Sequence, residues 1–225
     1  MTETQIALLQ DSFLKILEPG LKMTIPLTLL SFAAGLVIAL VTAMVQVARV
    51  PVLRQLARIY VWIIRGTPLL VQLFVIFYGL PYMGIMLDAF PTAVIVFSIN
   101  TGAYCAEDIR AAIESIPHGQ LEAGYCVGMT WWQTMRGIIL PQAMRTAFPP
   151  LSNTLISLVK DTSLASNITI VEMFTATRKI AARTYEHFIL YCEVAVIYLA
   201  FCTILTLLQH YCEKKLNRHA AGKKG

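Results

Sequence analysis

A chain of 225 residues that is 57% hydrophobic and only 14% charged is too apolar for a soluble domain, which carries nearer ~25% charge. The composition is that of an integral membrane protein with one membrane domain. Its formal net charge of +5 comes largely from arginines and lysines beside apolar runs, which suits an anionic leaflet, and no aromatic-basic pattern for reading nucleic acid is present.

Met1-Thr2-Glu3-Thr4 lacks the basic start of a cleaved signal peptide, so the first span is expected to insert and stay. Over residues 5 to 18, Ile6, Leu9, Phe13 and Leu17 share a helical face, with Asp11, Lys15 and Glu18 mostly elsewhere. That spacing predicts an N-terminal amphipathic segment, residues 1–20, lying along the membrane surface and ended by Pro19-Gly20. The charge-free run that follows predicts a first span at about 23–48, long enough for the ~20 helical residues a bilayer core needs. Residues 49 to 65 hold Arg49, Arg54, Arg58 and Arg65 and no acid, and read as a basic loop. Arg65-Gly66-Thr67-Pro68 then opens a second span at about 66–87, where glycine and proline permit a bend. Arg65 there either anchors the helix among headgroups or takes part in gating.

Asp88 marks a short turn before a third span at about 89–110. Asn100, Tyr104 and Glu107 share one of its faces; Asn100 and Tyr104 are candidates for lining a substrate path, although an in-membrane asparagine also bonds neighbouring helices. Glu107 and Arg110, three residues apart, are expected to pair. The polar stretch 114–145 predicts a short helix from Pro117 to Gly128, then a capping box, Thr130 to Gln133, opening a second helix that ends or kinks near Pro141. Two helices joined at a glycine make a knob that could dock in another protein's groove.

A fourth span at about 146–166 contains Lys160-Asp161. Asn153, Ser157, Lys160 and Leu164 share a face, with Asp161 at its edge. An ionisable residue inside a span is costly and points to function: Lys160 could meet the carboxylate of a zwitterionic amino acid, and Asp161 its ammonium. In the other reading the two mark a helix end, paired together or reaching to water. Residues 172 to 186 read as a short external helix with Arg178, Lys179 and Arg183, before a last span at about 187–212. Glu193 inside that span either binds an ammonium or basic group, or hydrogen-bonds across helices. A basic tail, 213–225, carries Lys214, Lys215, Arg218, Lys223 and Lys224.

Five spans put the termini on opposite sides, and the positive-inside rule places the N-terminus outside and the C-terminus in the cytoplasm. The first basic loop, the 114–145 region and the tail then face inward, Asp88 faces outward, and the Arg178–Arg183 cluster runs against the rule. The five cysteines, Cys105, Cys126, Cys192, Cys202 and Cys212, show no metal or redox spacing and read as packing residues. There is no G-x-x-x-x-G-K-[ST] phosphate loop and no catalytic or metal-ligand constellation, so the chain is expected to be neither an enzyme nor a holder of a cofactor or metal. The absence of an internal repeat counts against a secondary transporter built from inverted repeats.

Glu122, Ala123, Gly128, Ile138, Leu140 and Pro141 stand in the register of the signature loop of binding-protein-dependent ABC importer permeases, and the chain resembles that family. Gly124 replaces the alanine of the pattern, a change expected to loosen the short helix by roughly 1 kcal/mol. The resemblance covers roughly residues 20 to 215. It extends to Arg65-Gly66-Thr67-Pro68 and to Ser157-Leu-Val-Lys-Asp-Thr-Ser-Leu164, which are similar to stretches of polar amino-acid permeases, cystine permeases in particular.

What the resemblance implies is an all-α integral membrane fold of five transmembrane helices with a cytoplasmic helical coupling loop, the type I ABC importer permease fold. It implies the membrane subunit of an ATP-driven importer of polar amino acids, L-cystine first, with arginine, histidine, lysine or glutamine as alternatives. Implied partners are a second permease subunit, identical or related, two separate ATPase subunits that bind ATP and Mg, and an extracytoplasmic binding protein. The implied location is the bacterial cell (inner) membrane. The Glu122–Gly128 helix would sit in a cleft on the ATPase, with Glu122 offering a charged contact and Gly128 the bend. A stand-alone channel, a secondary transporter and a non-transporting scaffold are the readings from other classes.

Overall fold

The computed structural model describes residues 2–48 and 50–221, with the side chains of 217–221 excepted. Arg49, Lys223, Lys224 and the side chain of Arg218 lie outside the described residues. Every regular element among those residues is helical. The elements are α1 (Glu3–Pro19), α2 (Ile25–Val47), α3 (Pro51–Arg65), α4 (Leu69–Gly79), α5 (Ala89–Glu114), α6 (His118–Cys126), α7 (Trp131–Thr134), α8 (Leu140–Asp161), α9 (Met173–Thr184) and α10 (His187–Ala221).

Prolines that the sequence reads as stops are carried inside helices. α1 and α2 form one continuous helix, Glu3–Val47, through a π-helical turn at Gly20–Thr24. Pro19-Gly20 therefore does not end the amphipathic segment. A second π turn, Met135–Ile139, joins α7 to α8, so the helix runs through Pro141. The same device serves both joints. The Ile25 N–H donates to the carbonyl of Gly20, five residues back, immediately before Pro26. The Leu140 N–H donates to that of Met135 immediately before Pro141. One extra residue in the turn displaces the carbonyl that the pyrrolidine ring would otherwise strike, and the missing proline N–H costs no α-helical bond.

Other boundaries shift as well. Residues 49 to 65 are not a loop: α3 fills most of them, and the second apolar run is α-helical only from Leu69 to Gly79, with a 3-10 turn at Leu80–Met83. The α-helix of the fourth run ends at Asp161, and the backbone tightens to 3-10 over Thr162–Ile168. Leu164 thus leaves the face of Ser157 and Lys160 and packs on an apolar core. The last helix does not stop at 212 but continues to Ala221. Among the described residues three helices are long and apolar enough to cross a membrane, Glu3–Val47, Ala89–Glu114 and His187–Leu216, or four if α3 and α4 together form one broken span. The five expected spans are not reached on length and composition.

The chain divides into two compact units. The first comprises Met1–Ala33, Thr67–Ser98 and Leu155–Leu207. Its larger core gathers Leu27, Leu73, Val96, Phe97, Leu158 and Ile168, and a smaller one holds Ile16, Met173, Val194 and Ile197. The second comprises Ala34–Gly66, Ile99–Thr154 and Leu208–Gly225. Its interior is built from small residues, Ala39, Ala43, Ala103, Cys105, Ala106 and Ala143 among them, which let helix backbones approach where lipid offers no hydrophobic drive.

Candidate functional site

The loop between α5 and α8 is built in the way its sequence specifies, with one difference at its start. Pro117 is the N-cap of α6, not its first helical residue; its backbone is extended (φ −54°, ψ 133°). α6 closes on Gly128, whose φ of +79° lies in the left-handed region that glycine enters without strain. The N–H of Gly128 donates to the Tyr125 carbonyl at 3.0 Å and that of Met129 to the Gly124 carbonyl at 3.0 Å, the paired closure of a Schellman motif. The Thr130 hydroxyl then accepts from the Gln133 N–H at 3.3 Å while the Gln133 side chain accepts from the Thr130 N–H at 2.8 Å, a complete capping box.

Gly124 is the buried residue of α6. A Cβ there would come within 2.5 Å of both Thr134 Cγ2 and Oγ1. The departure from alanine thus fits α6 against a buried threonine, a relation that helix propensity alone does not reveal. Glu122 and Ala123 are exposed, as are Tyr125, Val127 and Trp132. Ile138 and Leu140 are half-buried and Pro141 is exposed.

The second unit also holds a charged cavity of about 330 Å³, lined by Gln46, Arg54, Arg58, Trp62, Arg65 and the Glu107–Arg110–Glu114 group. Arg110 pairs with Glu107, as the spacing predicts, and also with Glu114. The guanidinium of Arg65 lies 5.3 Å from the ring centroid of Tyr104, within cation–π range. Two residues singled out separately in the sequence thus meet. Gln46, Arg54 and Arg58 were not singled out there, because Gln46 is hidden in an apolar run and the arginines read as a loop. Asn100 is buried. Gly66, Thr67 and Pro68 are exposed between α3 and α4, and Gln72 Nε2 donates to the Thr67 hydroxyl at 2.8 Å and to its carbonyl at 3.1 Å.

On α8, Asn153, Ser157 and Lys160 are exposed and Asp161 is half-buried. Lys160 and Asp161 are the final two residues of the α-helix, and among the described residues the Lys160 ammonium makes no ion pair. Glu193 Oε2 accepts a 2.6 Å hydrogen bond from the Ser12 hydroxyl. This is the cross-helix geometry of the second sequence reading. The surrounding apolar groove, about 890 Å³, is lined by residues of α1 and α10 alone, so Lys160 and Asp161 do not share it.

Sequence reasoning missed Glu172. Its side chain is fully buried at the N-cap of α9. The carboxylate accepts from the N–H groups of Phe174 and Thr175, both at 2.7 Å, from the Thr175 hydroxyl at 3.1 Å and from Tyr198 Oη at 2.8 Å. Burial pushes its carboxyl above the usual carboxylate range, and these donors draw it part of the way back. Among the described residues no group of three or more His, Cys, Asp and Glu could hold a metal ion.

Comparison with known proteins gives a consistent result. The family described as binding-protein-dependent transport system inner membrane component matches residues 35–218. The L-cystine transport system permease protein TcyB of Bacillus subtilis (strain 168) is 52% identical over 215 residues, 95% of this chain and 92% of that protein. The probable amino-acid ABC transporter permease protein YckA of the same organism is 41% identical over 205 residues, 91% of this chain and 90% of that one. Among solved structures, an amino acid ABC transporter crystallised with histidines aligns with a TM-score of 0.85 at 32% identity, over 96% of this chain and 99% of its own.

Proposed function

The chain belongs to the family of binding-protein-dependent transport system inner membrane components, with the type I ABC permease fold, and from that premise we propose that it is the permease subunit of an ATP-driven amino-acid importer whose substrate is L-cystine. The observation that carries the substrate is 52% identity to an L-cystine permease across 95% of the chain.

In this reading the chain is not itself an enzyme. It pairs with a second permease subunit, and two ATPase subunits bind the ATP and Mg. An extracytoplasmic binding protein delivers substrate, and the complex sits in the bacterial inner membrane with the permease N-terminus outside. Five spans are then supplied by the α1–α2 helix, α4, α5, α8 and α10. α6 is the coupling helix. The Gly124–Thr134 contact and the two caps support its acting as a rigid lever, and the exposed Glu122, Tyr125, Val127 and Trp132 offer it a surface for an ATPase cleft. Closure of the ATPases on ATP would pull this lever and switch the bundle between two states of access. Lys160 and Asp161 receive the carboxylate and ammonium of the substrate, and Arg65 to Pro68 act as hinge and gate between α3 and α4.

The test is ATP hydrolysis in liposomes holding this chain, its ATPase and its binding protein, against a panel of amino acids. The expected result is stimulation by cystine above arginine, histidine and glutamine. Stimulation by basic amino acids instead would keep the importer and change its substrate. In the same system Glu122→Arg should abolish ATP-coupled uptake and weaken ATPase co-purification, and unchanged assembly and uptake would remove α6 from its role.

A further inference from the structure

α3 divides its residues cleanly between two sides. Arg54, Arg58 and Arg65, at steps of four and seven, share one side, while Val52, Leu56, Ile59 and Ile63, at steps of four, three and four, share the other. The aliphatic side is exposed throughout. The arginine side lines the charged cavity of the second unit. With Arg54, Arg58, Arg65 and Arg110 against Glu107 and Glu114, the cavity holds four cations and two anions.

Both anions are already taken by Arg110. The guanidinium groups of Arg54 and Arg58 make no ion pair or hydrogen bond among the described residues, and Arg65 lies against the Tyr104 ring. The cavity therefore has a surplus of guanidinium donors without an acid to receive them. Gln46 supplies a second, independent feature: it is 4% exposed, lines the cavity, and its Oε1 is buried with no hydrogen-bond partner. An occupant that presents an anion to the arginines and a donor to the Gln46 amide answers both features.

We infer that this cavity binds the headgroup of an anionic, hydroxylated glycerophospholipid such as phosphatidylglycerol. The phosphodiester accepts from Arg54, Arg58 and Arg65, and a headgroup hydroxyl donates to Gln46 Oε1. The acyl chains leave past Trp62, which lines the cavity and is 75% exposed, toward the exposed aliphatic side of α3. Arginine's planar fork suits phosphate oxygens, and basic pockets between membrane helices favour anionic headgroups. A free phosphate shares the anion chemistry but has no chains to follow the apolar side, so the lipid is the occupant.

The experiment uses the full-length chain in nanodiscs with Trp131→Phe and Trp132→Phe, leaving Trp62 as the only tryptophan of the original three. Trp62 fluorescence is quenched with brominated phosphatidylglycerol or brominated phosphatidylcholine. The expected result is half-quenching by phosphatidylglycerol at a mole fraction about fivefold lower, with the preference lost in Arg54→Gln/Arg58→Gln and kept in Arg54→Lys/Arg58→Lys. Arg178→Gln/Lys179→Gln on α9 should leave the preference intact. Equal quenching by both lipids, or a preference that survives Arg54→Gln/Arg58→Gln, overturns the inference. Loss of the preference on adding soluble glycerol 3-phosphate would assign the cavity to a free anion, and loss on adding the ATPase would assign it to a protein acid. Either of these also overturns the lipid.

Discussion

Gly124 and Thr134 touch as only a glycine permits: a methyl in place of the Gly124 hydrogen would come within 2.5 Å of two Thr134 side-chain atoms. The contact joins α6 to α7. Gly124→Ala, which restores the alanine of the signature pattern and raises helix propensity, should therefore destabilise the protein, by about 1–3 kcal/mol if it behaves as core overpacking does. Thr134→Ala should restore most of that loss in the double variant. Thermal unfolding of the four proteins in detergent checks this, and a stabilised Gly124→Ala would mean that α6 is free to shift.

Lys160→Ala should raise the half-saturation concentration for cystine uptake by about tenfold or more, the value of one charge-assisted hydrogen bond. ATPase co-purification should not change, because the Lys160 ammonium makes no ion pair within the described chain. Asp161→Asn should act through substrates that carry an α-ammonium and spare analogues that lack it. Uptake kinetics with intact cystine and a des-amino analogue separate the two effects. If Lys160→Ala leaves uptake unchanged, the pair marks a helix end and nothing more.

The Ser12–Glu193 bond predicts a different pattern. Ser12→Ala and Glu193→Leu should each lower thermal stability. The double variant should lose less than their sum, by about 0.5–3 kcal/mol of coupling. Glu193→Gln keeps an acceptor for Ser12 and should retain both stability and the half-saturation for cystine. A large rise in half-saturation with stability intact would return Glu193 to the substrate path.

Glu172 gives a prediction about pH. Its carboxyl is held above the usual range by burial, so the folded state binds its proton more tightly than the unfolded chain does. The stability this contributes is fully present below the unfolded value and is lost as pH rises through the folded one. Glu172→Gln should flatten that part of the stability-against-pH curve, and Glu172→Ala should destabilise at every pH by freeing the N–H groups of Phe174 and Thr175 and the Tyr198 hydroxyl. Thermal unfolding measured across mildly acidic to neutral pH tests both.

Local signals in the sequence were the readable ones. Thr130, Gln133 and Gly128 announce caps that form within a few residues, and the Glu107–Arg110 pair follows from helical spacing alone. Pro141 misled because a proline reads as a stop unless a π turn precedes it, and Pro19 because it sits inside α1 with a π turn following it; nothing in the composition of Gly20–Thr24 or Met135–Ile139 marks such a turn. α3 was legible in its period, Val52, Leu56, Ile59 and Ile63, but its arginines drew the reading toward a loop. Glu172 was missed because glutamate is not among the favoured N-cap residues and its one distant donor, Tyr198, lies 26 residues further on. Gly124 looked like a defect because its value lies in a neighbour, Thr134.

The π turn at Met135–Ile139 sets an angular offset. Each residue of an α-helix advances the chain by about 100° around its axis, so the single extra residue decides which way Asn153 points relative to the capping box at Thr130. Deleting one residue from that turn would relax it to a regular α-helix, expose Pro141 to its clash, and rotate everything beyond it by about a quarter turn. The helix would keep its composition and its hydrophobicity and lose its aim. In such a chain the phase between motifs is itself inherited information, and an alignment that absorbs a one-residue gap here would join two proteins whose polar faces point in different directions.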